Sequence, residues 1–560
     1  MPGMSDESRT PRRRTALRLG ALGAVSGLLA GHTALAVAEL VSAAVRPEAG
    51  PVVAVGGAAI DRTPASLKLW AIRTFGTNDK LVLQLGILGV LGLFALVLGV
   101  LAARYRRVGS AGVLLFGAVG ALAATARPDS TGVGDALPSV VGAAAGAALL
   151  YWLAGRLRQT PPAEVRAKPR PPSSDEPAEA DERGRPERDG GEGTQGPGWD
   201  RRRFIGAATA AAAASTGAGL LGRALNRAGG ERAAKARSRV ALPPPSSPAP
   251  RVPRGAALRV PGISPFTTPN ADFYRVDTAL VVPRVVPSSW SLRIHGRGVT
   301  RALRLSYDDL LSMPLVERDI TLTCVSNEVG GPYAGNARWI GVRLEGLLAR
   351  CGVEPPSRGG PADQLVAHSV DGMTLGTPVE DVMDGRDAML ALGMNGEPLP
   401  LAHGFPVRMV VPGLYGYVSA CKWIEDIELT TFDDYDTYWV KRDWAREAPV
   451  KTQSRIDTPK PFARPEPGTV VIAGVAWAQH RGIDKVEVRV DDGPWRRADL
   501  AAEDTRDTWR QWSLPWEATS GSHTLTVRAT DRTGTTQTQE RTRTVPDGAS
   551  GWHSVLVTVG

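Results

Sequence analysis

The chain has 560 residues, 43% hydrophobic and 22% charged, with 63 Gly and 44 Pro. It is too long for one core and too apolar for a wholly disordered chain, so several folding units with linkers are expected. Three cysteines exclude a disulfide-stapled scaffold. Residues 1–20 carry +3 and residues 156–240 carry +6, which together account for the formal charge of +9. Placed beside apolar segments, this excess reads as membrane orientation and not as a nucleic-acid surface; no nucleic-acid partner is expected.

Residues 1–158 are predicted to form a transmembrane region of about four helices, over Leu19 to Val45, Leu81 to Ala103, Ala111 to Ala126 and Leu137 to Leu153. The first two have the roughly 17–25 apolar residues that a bilayer crossing needs, while the last two are marginal. The clusters Arg12–Arg14, Arg104–Arg107 and Arg156/Arg158 fall where alternating crossings put the cytoplasm, if the amino terminus is inside. The basic loop from Arg46 to Lys80 runs mildly against that pattern. His32 and Glu39 lie within the first span, and the preferred reading is that they face a neighbouring helix or the interface.

Residues 159–199 are rich in Pro, Glu, Arg, Asp and Gly and read as a disordered charged linker. At 200–222, DRRRFIG followed by an Ala/Gly run is similar to a twin-arginine export signal, with a fifth transmembrane helix as the alternative. Either reading places the residues beyond 222 outside the cytoplasm. Residues 223–260 read as a juxtamembrane tether whose arginines could lie on anionic lipid.

From about Pro261 the pattern becomes that of an α+β domain, expected over 261–458. Trp290 to Gly296 alternates as a strand, and Ser306 to Met313 reads as a helix capped by Ser306. The run DITLTCVSN delivers Cys324 from a β-rich segment to a loop, with Asn327 at a turn-prone position. A strand end is a rigid mount for a reactive or ligating thiolate, although a lone cysteine there is more often a buried small hydrophobe. From Pro467, VVIAGVAW, VEVRVDDGPW, HTLTVRATD and WHSVLVTV alternate with period two, which predicts an all-β immunoglobulin-like sandwich over 459–560. Trp477, Trp495, Trp509, Trp512 and Trp516 are expected in its packing.

Three further matches accompany Cys324 in order: TPNADFYRV (Thr268 to Val276), GNARWIGVRLEGLLARCGV (Gly335 to Val353) and MNGEPLPLAHGFPVRMVVPGLYGYVSACKW (Met394 to Trp423). With these, the region from Pro261 to the carboxyl terminus resembles the sulfite oxidase family of molybdopterin-dependent oxidoreductases, in a membrane-anchored bacterial branch. The first match is similar to a segment of the branch that includes the periplasmic protein-methionine-sulfoxide reductases. The resemblance implies a multi-domain architecture: an N-terminal α-helical transmembrane bundle, a sulfite-oxidase-type molybdopterin domain and the C-terminal sandwich, here a dimerisation domain. It implies one molybdenum–molybdopterin cofactor per chain. Cys324 would be the metal's protein ligand and, with Asn327, the catalytic pair. Asn270, Tyr274, Arg275, Ser369, His403, Arg408, Ala420, Cys421 and Lys422 would bind the cofactor, Ala420 and Cys421 through backbone groups. Without the resemblance, Arg408 and Lys422 are ordinary surface charges and His403 a turn residue before Gly404.

The sequence departs from sulfite oxidases where substrate sits. The run after the ligand position is Val325, Ser326, Asn327, Glu328, where those enzymes have an Ala-Gly-Asn-Arg type sequence. A carboxylate in place of a guanidinium would repel sulfite by an amount on the order of several kcal/mol at an effective dielectric near ~20. The expected function is therefore extracytoplasmic, membrane-anchored oxygen-atom transfer on a small sulfur or related substrate. The alternatives are a sulfoxide reductase running in reverse, of the protein-methionine-sulfoxide kind, and a non-catalytic exported binding module. The electron partner is expected to be a separate redox protein, cytochrome or quinone-linked, and the terminal domain implies a homodimer. Cys351 and Cys421 either pair or are inert core thiols.

Overall fold

The computed structural model describes residues 9–64, 79–127, 132–157 and 201–560, with single residues at 67, 70, 71, 74, 75 and 130. The linker expected over 159–199 lies outside the described residues. The chain divides into two compact units, one built mainly from residues up to Asn226 and the other from Arg227 to Gly560.

The first unit is helical: α1 (Arg9–Val45), α2 (Pro51–Arg62), α3 (Asp79–Arg104), α4 (Arg106–Thr125), α5 (Leu137–Leu157) and the part of α6 (Arg201–Arg239) before Arg227. All except α2 contain a stretch long and apolar enough to cross a bilayer. The two segments that looked marginal in sequence form helices of 20 and 21 residues, because flanking residues extend them. The fifth such helix, α6, begins at the Arg201–Arg203 cluster. The segment between the first two spans is not simply a loop, since α2 occupies part of it.

Small residues set the packing. A Cβ added at Gly27 would lie 2.0 Å from the Ala95 carbonyl oxygen, and one at Gly99 would lie 2.1 Å from that of Gly23, so α1 and α3 touch backbone to backbone. Gly142 and Gly146 bring α5 against Ala34 and Ala30 in the same way. In lipid, where apolar side chains gain little by meeting one another, such close approach is what holds helices together. His32 and Glu39 of α1 face a neighbouring helix, as expected: His32 Nε2 lies 3.1 Å from Thr216 Oγ1, and Glu39 accepts from Asn226 Nδ2 at 2.9 Å. Arg106 lies over the Tyr151 ring at 3.6 Å and Arg156 over the Trp152 ring at 4.0 Å.

The second unit holds two five-stranded sheets and a terminal pair of four-stranded sheets. Numbered in chain order, the first sheet is β2 (Leu303–Ser306), β1 (Ser291–Gly296), β10 (Ile424–Thr430), β5 (Gln364–Ser369) and β6 (Thr374–Pro378). The second is β3 (Leu315–Thr323), β4 (Ala334–Arg343), β7 (Met389–Met394) and β8 (Glu397–Pro398), with β9 (Arg408–Val410) also on β7. Ser306 caps helix α7 (Tyr307–Leu311) through a full capping box with Asp309. Edge strand β3 is covered by residues of the expected tether: Ser247 bridges Val316, accepts the Glu317 N–H and donates to the Leu315 carbonyl. Arg237 is held by Glu397 and the Leu399 carbonyl.

The terminal sheets are β11 (Gln453–Thr458), β12 (Gly468–Trp477), β16 (Arg510–Ala518), β15 (Asp499–Leu500) and β14 (Arg496–Arg497), β13 (Ile483–Val490), β17 (Gly521–Asp531), β18 (His553–Val559). Residues from both sheets, including Ile472, Trp512, Val486 and Val527, share one apolar core. Strand β11 pairs with β12, so the sandwich starts before the boundary expected at 458/459. Trp477, Trp509, Trp512 and Trp516 are buried. Trp495 differs: it is half-buried, packed on Trp552 at 4.9 Å and under the Arg528 guanidinium at 4.2 Å. Cys351 and Cys421 are both free and buried, so they do not pair.

Gly27→Leu is expected to loosen the helical unit, because the new side chain meets the Ala95 backbone and not a movable side-chain tip; overpacking of this kind costs roughly 1–3 kcal/mol. The check is the melting temperature of the full chain in detergent, which should fall; an unchanged value contradicts backbone contact between α1 and α3.

Candidate active site

Cys324 is the first residue beyond β3, on a loop that returns to β4. Its N–H donates to the Tyr333 carbonyl at 2.9 Å, and its Sγ lies 2.9 Å from Ser326 Oγ. The half-buried thiol is pushed up by burial, while the Ser326 hydroxyl and then Lys422 act in the opposite direction. Asn327 accepts the Tyr333 N–H on its Oδ1 at 2.8 Å, which closes the loop.

The terminal sandwich grips the same loop. Arg455 on β11 donates to the Gly331 carbonyl at 2.8 Å and to Ser264 Oγ at 2.9 Å. Gly330, at φ +78°, lies so close to His553 that an added Cβ would be 2.1 Å from the imidazole. Gln479 donates to the Thr321 carbonyl and to Thr323 Oγ1, both at 2.9 Å.

On the other side of the site, Arg408 and Lys422 face each other across an isolated antiparallel bridge. Gly404, at φ +109°, crosses over them; an added Cβ would lie 3.1 Å from Lys422 Cβ and 3.2 Å from Arg408 Cβ. This explains the glycine in HGFPVR. Arg408 is 6% exposed, its guanidinium lies over the Trp339 ring at 5.3 Å, and its Nε has no hydrogen-bond partner among the described residues. Lys422 Nζ and Arg275 Nε both bond Asp277 Oδ2 at 2.8 Å. Burial brings the Lys422 ammonium down to about 8 despite Asp277. His403 is brought down to about 4 by burial, then by Arg408 and Lys422, so it is a neutral ring at pH 7.

Tyr274 lies near the cysteine loop, its ring 6.3 Å from that of Tyr333. Its hydroxyl is pushed up by burial and by the Cys324 charge, with Arg408 opposing. Phe273 stacks on it at 5.2 Å and meets Trp339 and His403 edge-on. Asn270 braces the wall behind: its Nδ2 reaches Glu397 at 2.6 Å, its Oδ1 accepts from Asn395, and its carbonyl lies 3.2 Å from His403 Nε2. Ser369, at the end of β5, accepts weakly from the Asp371 N–H at 3.4 Å, and Asp371 in turn feels the Lys422 charge. The backbone groups expected from Ala420 and Cys421 are partly committed: the Ala420 N–H donates to Gly416, and the Cys421 carbonyl accepts from Met409. Ser326, Tyr333, Asp277, Trp339 and Arg455 were not singled out from sequence. Trp339, Tyr333 and Asp277 lie within or next to a matching run, but the partnerships of Asp277 with Lys422 and of Arg455 with Gly331 span more than 100 residues and leave no local pattern.

No group of three or more His, Cys, Asp or Glu that could hold a metal exists among the described residues. A metal at Cys324 would therefore need its other ligands from a cofactor, and a buried guanidinium with an open Nε beside a second cation suits an anionic one. The family model "Oxidoreductase molybdopterin binding domain" matches residues 279–439, and "Mo-co oxidoreductase dimerisation domain" matches 446–560. The uncharacterized oxidoreductase YuiH of Bacillus subtilis is 32% identical over 152 residues, 27% of this chain and 70% of that protein. The chain belongs to the sulfite oxidase family of molybdenum-dependent oxidoreductases. Membership implies a molybdenum–molybdopterin cofactor. Human mitochondrial sulfite oxidase is 31% identical over 310 residues, 47% of this chain and 55% of that one. The chain spans little more than half the length of that relative. The crystal structure of the sulfane dehydrogenase SoxCD from Paracoccus pantotrophus is 25% identical with a TM-score of 0.46, covering 53% of this chain and 82% of that one.

Gly330→Ala is expected to displace either His553 or the cysteine loop, since the added methyl meets a ring held by the Ile456 N–H. It should lower the molybdenum content of the purified full chain severalfold; full metal occupancy would contradict the buttress. His553, like His403, is kept near 4 by burial. The unfolded chain therefore takes up protons first, and stability present above pH ~6.5 is lost as pH falls toward ~4. The melting temperature should fall across that window, with a shallower slope in His553→Gln; an unaltered slope contradicts this assignment.

Proposed function

We propose that the chain is a membrane-anchored, extracytoplasmic oxidoreductase that transfers an oxygen atom to or from a small sulfur-containing or related substrate. The observation that carries this reading is the Cys324 thiol on a loop fixed by Ser326 and Tyr333, in the same unit as the backbone-paired, buried Arg408 and Lys422, with the Lys422 charge acting on the thiol. When bound, the molybdenum–molybdopterin group supplies two-electron redox chemistry coupled to oxygen-atom transfer.

In this reading Cys324 holds the metal as a soft thiolate. Lys422 helps keep that sulfur anionic, and Ser326 donates a hydrogen bond to it. Arg408, Lys422 and Arg275 receive the anionic end of the cofactor, with Ser369, Ala420 and Cys421 lining it. Neutral His403 and Asn270 hold the ring side, and Asn327 positions the loop. Tyr274, with its hydroxyl kept protonated, orients the bound group by donating to it.

The orientation comes from charge. Arginines stand at alternate ends of the apolar helices, and Arg201–Arg203 begin α6, which supports a catalytic region on the far side from the cytoplasm. The match to a dimerisation domain supports a homodimer through the sandwich, which we read as immunoglobulin-like.

Glu328 favours a second reading on substrate: its carboxylate, four residues after Cys324, suits a neutral sulfoxide, in the reductive direction, better than dianionic sulfite. Steady-state assays on the metal-loaded chain should give sulfoxide turnover with a reduced donor, and sulfite turnover only at high KM. Sulfite turnover at micromolar KM contradicts the role given to Glu328. Cys324→Ser should lower turnover by at least about a thousandfold in a folded protein; comparable activity removes Cys324 from the mechanism.

A further inference from the structure

A cavity of about 750 Å³ lies within the helical unit, lined from α1 to α5. This is the size of a small-molecule site. Only two of its lining residues, His32 and Ser139, carry polar side chains, and none is charged. Ser139 is 3% exposed, and its Oγ has no hydrogen-bond partner among the described residues. A hydroxyl buried against an apolar cavity is costly unless something in the cavity bonds to it. His32 is held at the wall through Thr216. Phe94 and Phe116, also in the lining, form a tilted ring pair at 4.9 Å against which a flat ring could pack. Val90 and Val119 line the cavity and are about half exposed, so it is open to its surroundings and not sealed.

We propose that this cavity binds an isoprenoid quinone, its ring against the phenylalanine pair and its carbonyls accepting from Ser139 and His32. The lining fits a neutral ring with two acceptors and an apolar tail; a phospholipid head group would find no counter-charge. The redox role rests on the oxidoreductase reading of the second unit. Substrate, water and quinone give oxygenated substrate and quinol: two electrons and two protons leave the substrate side and reduce the quinone. In the reductive direction quinol is oxidised and water is released. The binding itself stands on the cavity alone.

The test uses the full chain in phosphatidylcholine nanodiscs, with a photoreactive benzoquinone bearing a short isoprenoid tail. Saturable labelling of α1 and α3 peptides is expected, displaced by unlabelled quinone and not by added phospholipid. Gly86 and Gly92 line the cavity, and an added Cβ at either meets nothing within 4 Å. Gly86→Phe and Gly92→Phe should therefore fill it without disturbing the helices and lower labelling tenfold or more at unchanged helix content. His32→Leu should weaken displacement by roughly fivefold, the factor one hydrogen bond carries. Labelling that does not saturate, that phospholipid displaces equally, or that persists in both phenylalanine variants overturns the proposal. Molybdenum is measured on the same samples: a metal-loaded chain without saturable labelling sinks the quinone site, whereas labelling without metal supports the site and sinks the oxidoreductase reading.

Discussion

Two cations face each other inside this protein, and the fold keeps them there. Arg408 and Lys422 sit opposite one another on paired backbone, under a glycine where an added Cβ would be tight, and Asp277 bonds the ammonium. Burying like charges so close is unfavourable unless an anion arrives to bind them. Burial first, and the neighbouring cations only after it, brings the lysine down to about 8 and keeps His403 neutral. Such an arrangement suits an anion, and the cofactor implied by the family carries negative charge.

The thiol side depends on a different device. Cys324 sits on a short loop whose own contacts, from Ser326, Asn327 and Tyr333, fix its shape. Its place is set by the terminal sandwich through Arg455, Gln479 and His553. The module that matches a dimerisation domain is thus also a structural wall of the candidate site. Changes in its strands should reach the cysteine without touching substrate.

Much of this was legible in sequence where the signal was local. The cap at Ser306, the strand that delivers Cys324 and the period-two strands of the sandwich were all readable from spacing. The candidate site residues were proposed through short runs such as HGFPVR, and Gly404 shows why that run has its glycine. What the sequence hid was partnership across distance. Asp277 meets Lys422, and Arg455 meets Gly331, over more than a hundred residues, and a single chain offers no periodicity for such pairs. The start of the sandwich was misplaced for a related reason: β11 alternates weakly, and only its pairing with β12 assigns it. Helix α2 was hidden inside a stretch read as a loop, because its apolar face is short.

The most direct measurement is X-ray absorption at the molybdenum edge on the full, cofactor-loaded chain, compared with Cys324→Ser. The account predicts one molybdenum per chain and a sulfur shell that loses one sulfur in the variant. An identical sulfur shell in both proteins would show that this thiol does not touch the metal, and the central claim would fail.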